Sequence, residues 1–416
     1  MIAGKSILLV SHELSRTGAP SSLLRQAGYL CEAGCRVTLW TIGGGPLEPE
    51  FAKLGIPVVR VGSGFGSVRR MARAQGGKFD LVVCNTFRTH RYATAFAALG
   101  RPVVWFVREA ASLEGPLSAD AELAQALRTF YNLYTVSAYA RDCLKAYNPH
   151  VRYFDNSVAD RFREFAPLPA GTVRFGFLGS LTPHKGIKQL IAAYCSLPPA
   201  TVKTSLRIAG RYEGTELGAA LHSQTRSRPD VVWLGEVADG DRAGFFDSID
   251  VLCMPSIDES CGLALLEGAM YGKALLATDR VGAKYVIGAG NGCVVPLGEL
   301  KRGLQYFLDN AGALAEMQAE SRRRYLALAT PDREREAVLT MVEENLGNPP
   351  PPDTAEVRPV RRFFRKEDAD PTHWRFLVWG VCVLECRKIA WLKRVARRLL
   401  TAIGVDPVRI GYTRES

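Results

Sequence analysis

No run of 18 or more consecutive apolar residues occurs in the 416-residue sequence, so a bilayer-spanning helix is not expected. The opening MIAGKSILLV passes directly into a strand-like segment. It lacks the long apolar core and small-residue cleavage site of a secretory signal, and the expectation is a cytoplasmic location. Neither G-x-G-x-x-G nor G-x-x-x-x-G-K-[ST] is present, so the fingerprints of a dinucleotide fold and of a P-loop are both missing. The ten cysteines include no C-x-x-C pair, and several, such as Cys84 and Cys253, lie inside apolar segments. That pattern fits buried thiols rather than a disulfide framework or a zinc site, and no metal ligand set is assigned.

What is present describes a globular body. The chain is 47% hydrophobic and 23% charged, and its length suits two domains of ordinary size. The formal charge of +11 is unevenly spread: residues 357–416 hold 14 Lys or Arg against 6 Asp or Glu, a net +8 that leaves only +3 for the rest. Attraction to an anionic partner is therefore a property of the tail.

Two series of strand-like and helix-like segments alternate along the chain. SILLVS, CRVTLWTI, FDLVVCN, RPVVWFV and LYTVS form the first series, and short apolar runs of this kind suit parallel strands covered on both faces. APLPAG at 166–171 is a joint with little to bury. VRFGFLG, LRIAG, VVWLG, VLCMPS, KALLATD and GCVVPL then form the second series. The reading is α/β, with two doubly wound domains at 1–167 and 168–347 facing across a cleft. NPPPPD ends the second domain, since successive prolines cannot continue a helix. A Pro-rich and basic linker is placed at 348–372 and a basic, aromatic, amphipathic tail at 373–416.

Three stretches could carry chemistry. In FLGSLTPHKGIKQL, a strand ends at Gly179, and Lys185 and Gly186 precede a helix whose unpaired N–H groups would favour a phosphate or diphosphate. A solvated lysine at a helix start is the plainer alternative. In PSIDESCGLALLEGAMYGK, Gly262 permits a tight turn, and the Gly262 and Leu263 amides begin a helix. Glu267 on that helix could accept hydrogen bonds from a diol such as ribose, and Glu259 on the loop could reach another part of the same ligand. The alternative makes Glu259 a capping acid and Glu267 part of a solvated face. In SHELSRTGAPSSLL, Gly18 lets a loop approach a ligand, while His12 and Arg16 have loop packing or solvation as ordinary roles.

Together these stretches resemble the retaining glycosyltransferases of family 4, which have the GT-B fold. The matching residues are GSLTPHKG, PSIDESCGLALLEGAMYG, ALLATDRVG and GNGCVVPLG, with LYTVSAYARD and YFDNSVADRF upstream; the likeness covers about residues 5–345. The resemblance implies two Rossmann-like domains and a nucleoside-diphosphate sugar donor, with no cofactor or metal. Lys185 would contact the diphosphate, Glu267 the ribose, and Glu259 with the Gly262 and Leu263 amides the donor sugar and distal phosphate. Gly18, Gly179 and Ser180 would line the donor site. The acceptor, a glycan or lipid-linked sugar, would enter from the first domain, where His12, Arg16, Arg108 and Glu109 are candidates. Lys185 and Glu259 are the expected catalytic residues, with no covalent nucleophile assigned.

The sequence also departs from that pattern. Ser180 stands where the family has arginine, a contact that Arg211 in IAGRYEG could supply. Arg108 stands where the family has histidine, and a guanidinium cannot do the acid–base work of a neutral imidazole. Lys284 and Tyr285 follow a turn after which the family has glutamate.

From Ile389 onward Leu392, Ala396, Leu399, Leu400 and Ile403 share a helical face edged by arginines and lysines, with Trp374, Trp379 and Trp391 nearby. Such a helix suits an anionic membrane interface, reached through residues 373–403 on the inner face. Packing on the chain's own first domain or on another subunit is the alternative, and nucleic acid is not expected. Oligomeric state is not read from the sequence. The rival functions are a sugar-nucleotide epimerase of the same fold and a non-catalytic nucleotide-sugar-binding scaffold.

Overall fold

The computed structural model describes residues 2–165, 171–199 and 202–349, and the backbone of 364–370, 373–378 and 381–387. The first seven strands are β1 (Ser6–Ser11), β2 (Arg36–Thr41), β3 (Val58–Arg60), β4 (Leu81–Asn85), β5 (Val103–Phe106), β6 (Leu133–Thr135) and β7 (Arg152–Tyr153). They form one parallel sheet in the order β3-β2-β1-β4-β5-β6-β7. β1, β4 and β5 are almost wholly apolar and buried, as central strands covered by helices on both faces must be. The two short strands β3 and β7 lie at the edges and fall outside the segments read as strands from the sequence.

The second sheet repeats the plan. β8 (Thr172–Leu178), β9 (Lys203–Ala209), β10 (Val231–Gly235), β11 (Val251–Met254), β12 (Ala274–Thr278) and β13 (Gly292–Val295) pair in parallel in the order β10-β9-β8-β11-β12-β13. In each sheet the order reverses between two central strands, β1 and β4 in the first, β8 and β11 in the second. Ligands of open α/β sheets bind beyond the carboxyl ends of the strands at that reversal. The loops after β1, β8 and β11 are those that the sequence singles out.

The helix Pro331–Asn345, read as the end of the second domain, packs back on the first. Glu334 binds Arg25 and Gln26 of the helix Gly18–Glu32, and Asn345 accepts a hydrogen bond from Asn132 at 2.7 Å. Its apolar residues Val338, Met341 and Val342 join a core cluster that contains Leu9 and Leu23 as well as Leu265 and Tyr325. Polar partners on the first domain, which no local pattern announces, place this helix.

Residues 357–416 form a separate unit. Within it β14 (Phe364–Asp370), β15 (His373–Val378) and β16 (Val381–Arg387) form an antiparallel sheet. β14 lies where the sequence reading has a linker, and β15 and β16 occupy the first part of the stretch read as a helical tail. The physical reason is a run of β-branched and aromatic residues interrupted by Gly380, a hairpin pattern. The amphipathic helix expected from Ile389 lies outside the described residues. No helix among them is long and apolar enough to cross a membrane.

Candidate functional site

Three helices begin at the rims of the two sheets: Gly18–Glu32 after β1, Ile187–Cys195 after β8 and Leu263–Met270 after β11. Their N-caps are Thr17, Gly186 and Gly262. None makes a side-chain cap hydrogen bond, and none of the three first turns holds an acid. The helices starting at Ala121 and Ala138 are capped by Asp120 and Ser137. These three helices, uncapped like most others among the described residues, therefore keep free N–H donors and the positive end of the dipole where they meet a cleft of about 970 Å³.

Two glycines are required by this arrangement. Gly186 has φ +68°, and a Cβ there would lie 1.8 Å from the Pro255 carbonyl oxygen. Gly262 has φ +96°, and its Cβ would lie 2.8 Å from Met254 Sδ and 2.9 Å from Val281 Cγ1. Left-handed backbone and close approach both exclude a side chain. A Cβ on Gly18 would come within 3.9 Å of Leu263 Cδ1, so two of the helix starts face each other across the domains.

Gly179, Ser180, Lys185, Arg211, Glu259, Gly262, Leu263 and Glu267 all line the cleft from the second domain, and Arg16, Gly18, Arg108 and Glu109 line it from the first. His12 is not among the lining residues. It sits beside Thr86, whose hydroxyl is 3.0 Å from His12 Nδ1 and whose φ of +74° makes it the one described non-glycine residue with positive φ.

The charged groups of the cleft pair with one another. Lys185 Nζ bonds Glu259, Arg242 bonds both oxygens of Glu267 (2.6 Å to Oε1), and Arg211 Nε donates to Glu236 at 2.8 Å. Burial raises the Glu267 carboxyl, and the Arg242 guanidinium opposes that rise. Arg242, Glu236 and Asp239 escaped the sequence reading. Their signal was the charged loop GEVADGDR, which follows β10 as the Lys185 loop follows β8.

Arg108 is nearly buried, at 6% exposure. Its Nε binds Asn85, its Nη2 donates to Gln26 at 2.9 Å, and its guanidinium lies 4.4 Å from the Phe106 ring centroid. Nη1 has no partner among the described residues. Burial lowers its pKa to about 10, so it stays a cation at neutral pH, held mainly by its own domain.

Glu109 accepts from the Arg108 amide at 3.0 Å and the Phe87 amide at 3.4 Å. Burial nonetheless pushes its carboxyl up to about 7. The folded protein thus holds a proton that the unfolded chain releases near its ordinary 4.5. The stability from this group is present below that value and lost as pH rises through about 7. Glu109→Gln is expected to flatten that decline in a series of Tm measurements between pH 4.5 and 8; parallel curves for variant and wild type would contradict it.

Among the described residues one cluster has metal-ligand composition, His90 with Asp120 and Glu122. It lies outside the cleft lining, Asp120 caps a helix, and Glu122 pairs with Arg91.

Comparison with known proteins places the fold. Residues 158–324 match the family model "Glycosyl transferases group 1", and residues 17–152 match "Glycosyl transferase 4-like domain". No curated protein sequence matches the chain. The chain is similar to the Anabaena protein HepE in complex with UDP-glucose, at 17% identity over 82% of this chain and 100% of that one, with a TM-score of 0.67. Sucrose-phosphate synthase from Thermosynechococcus elongatus gives 16% identity, 82% and 98% coverage and a TM-score of 0.66. The lipopolysaccharide outer core galactosyltransferase WaaB gives 14%, 80% and 99%, and 0.65.

Proposed function

We propose, for a chain that has the GT-B fold and resembles the glycosyltransferases of groups 1 and 4, that it transfers a sugar from a nucleoside-diphosphate sugar to a glycan or lipid-linked acceptor. The observation that carries this reading is the convergence of three uncapped helix starts and Lys185 on one inter-domain cleft. A diphosphate is the ligand such a place stabilises most. Neighbours whose structures hold UDP and UDP-glucose support a uridine diphosphate donor.

Chemically, transfer needs the leaving diphosphate stabilised as charge develops on it. Fixed amide dipoles and Lys185 do this without reorganising at the moment of reaction, so this step requires no metal. Lys185 is engaged by Glu259. Phosphate oxygens would take over the lysine and free Glu259 to face the donor sugar. Glu267, oriented by Arg242, would accept from the ribose hydroxyls. Arg211 is in the cleft to supply the charge that Ser180 lacks, once released from Glu236. Attack on the donor face from which the diphosphate leaves, assisted by its phosphate, would retain anomeric configuration, and Glu109 and Arg16 would border the acceptor.

Thermal stabilisation by a panel of sugar nucleotides tests the donor assignment, since a ligand at 100 times its Kd adds about 2.7 kcal/mol of stability. Transfer of labelled sugar to an acceptor supports the full reading. Isomerised donor without acceptor would point instead to an epimerase, and binding without transfer or hydrolysis to a scaffold. We also propose that the basic tail holds the enzyme on an anionic membrane surface, from the net +8 of residues 357–416. The full chain should co-sediment with anionic vesicles and a chain ending at Pro350 should not; equal binding by both would refute the idea.

A further inference from the structure

The loop between β11 and the helix Leu263–Met270 is held from two sides. On its own domain, the Glu259 amide donates to the Arg280 carbonyl at 3.0 Å and the Gly282 amide donates to the Glu259 carbonyl at 2.8 Å, a parallel bridge to Val281. Bridged backbone is extended, so neighbouring residues turn to opposite sides. Asp258 and Ser260 accordingly engage the first domain. One Asp258 oxygen accepts from the Ser112 amide at 2.8 Å; the other accepts from the Ala111 amide at 3.3 Å and the Tyr139 hydroxyl at 2.8 Å. The Ser260 carbonyl accepts from Ser137 Oγ at 2.5 Å. The contact is close: a Cβ on Gly282 would stand 2.1 Å from the Ser260 oxygen and 2.5 Å from Ser137 Oγ.

From this geometry we propose that Asp258 is a positioning residue that couples closure of the two domains to the spacing between Glu259 and the acceptor side of the cleft; the catalytic part of this inference rests on the proposed function. The two amides bound by Asp258 belong to the segment that also carries Arg108 and Glu109. A single carboxylate therefore fixes the acceptor-side segment one residue away from Glu259. Because the Glu259 backbone is anchored within the second domain, losing Asp258 leaves the donor site assembled and weakens only the registration between domains, which on this loop then rests on the Ser137–Ser260 contact. Charge-assisted hydrogen bonds to paired amides are strong enough for that task, and misplacement of reacting groups by about 1 Å costs on the order of 100-fold in rate.

The test uses the full chain with Asp258→Ala, Asp258→Asn, Tyr139→Phe and the Asp258→Ala/Tyr139→Phe double variant. Asp258→Ala is expected to lower kcat about 10- to 100-fold and raise acceptor KM, with UDP affinity within about twofold of wild type. Asp258→Asn, which keeps one acceptor oxygen, should recover part of the rate. Tyr139→Phe should cost a few-fold alone and nothing more beside Asp258→Ala, as expected of residues in one contact. Small-angle scattering supplies a readout independent of transfer: Asp258→Ala should have a larger radius of gyration than wild type with UDP present. Parallel loss of UDP affinity and rate, or an unchanged rate, would overturn the proposal. If wild type transfers no sugar, the functional reading fails, and scattering still decides the coupling, with equal radii overturning it.

Discussion

Glu259→Gln is expected to reduce sugar transfer by about two to three orders of magnitude while leaving nucleotide affinity unchanged or slightly improved. The variant keeps the shape of the side chain and removes its charge. That charge pairs with Lys185, and in the proposed reading the donor phosphates would take its place. Without it Lys185 meets the diphosphate unopposed, so binding does not suffer. The rate falls because the negative group beside the donor sugar, where positive charge develops as the bond to diphosphate breaks, is gone. Glu267→Ala should show the opposite split, with UDP affinity about tenfold weaker and kcat at saturating donor largely kept. Its carboxylate is held by Arg242 one turn into the helix, and in the proposed reading it faces the ribose and not the bond that breaks. Initial rates over a range of donor concentrations and titrations with UDP separate the two. Equal loss of affinity in both variants would mean that the carboxylates share one task and that the assignment of sugar and ribose sides is wrong.

How much of this was legible beforehand depends on range. β1, β4, β11 and β12 announce themselves because central parallel strands are nearly continuous apolar runs bounded by glycine, proline or polar loops. Gly18, Gly179, Lys185, Glu259, Gly262 and Glu267 were legible for a related reason: each lies within a few residues of a strand end or helix start, where spacing alone predicts a shared rim. The edge strands β3 and β7 were not, since three and two residues carry no period. Arg242 was missed because its meaning comes from Glu267, 25 positions later, and the burial of Arg108 because its partners Asn85 and Gln26 lie on other elements. Local rules capture what the backbone does at each loop. They do not capture which charges neutralise one another across loops, and the pairing of Lys185 with Glu259, Arg242 with Glu267 and Arg211 with Glu236 is a property of that second kind.

The same reasoning gives the largest expected effect on stability, at Glu334. This glutamate lies in the charged stretch DREREAVLTM, yet its side chain is fully buried. Its oxygens accept from Arg25 Nε at 2.6 Å and Nη2 at 3.1 Å, from Gln26 at 3.1 Å and from the Ser157 hydroxyl at 2.6 Å. Gln26 passes the network on to Arg108. Glu334→Ala would leave the partly exposed Arg25 and the buried Arg108 without their shared counter-charge. Removing one partner of a buried pair costs about 3–5 kcal/mol, because the remaining charge cannot return to water. The urea midpoint should fall accordingly, with little dependence on added salt, since buried pairs are poorly screened. Arg25→Leu combined with Glu334→Leu should recover part of the loss, because apolar replacement of this pair removes one of the two uncompensated charges and leaves only that of Arg108. A double variant no more stable than Glu334→Ala would show instead that the cost lies in the packing of the returning helix. Since Glu334 ties that helix to Gly18–Glu32, whose free start faces the cleft, its loss should also weaken UDP binding below the unfolding range.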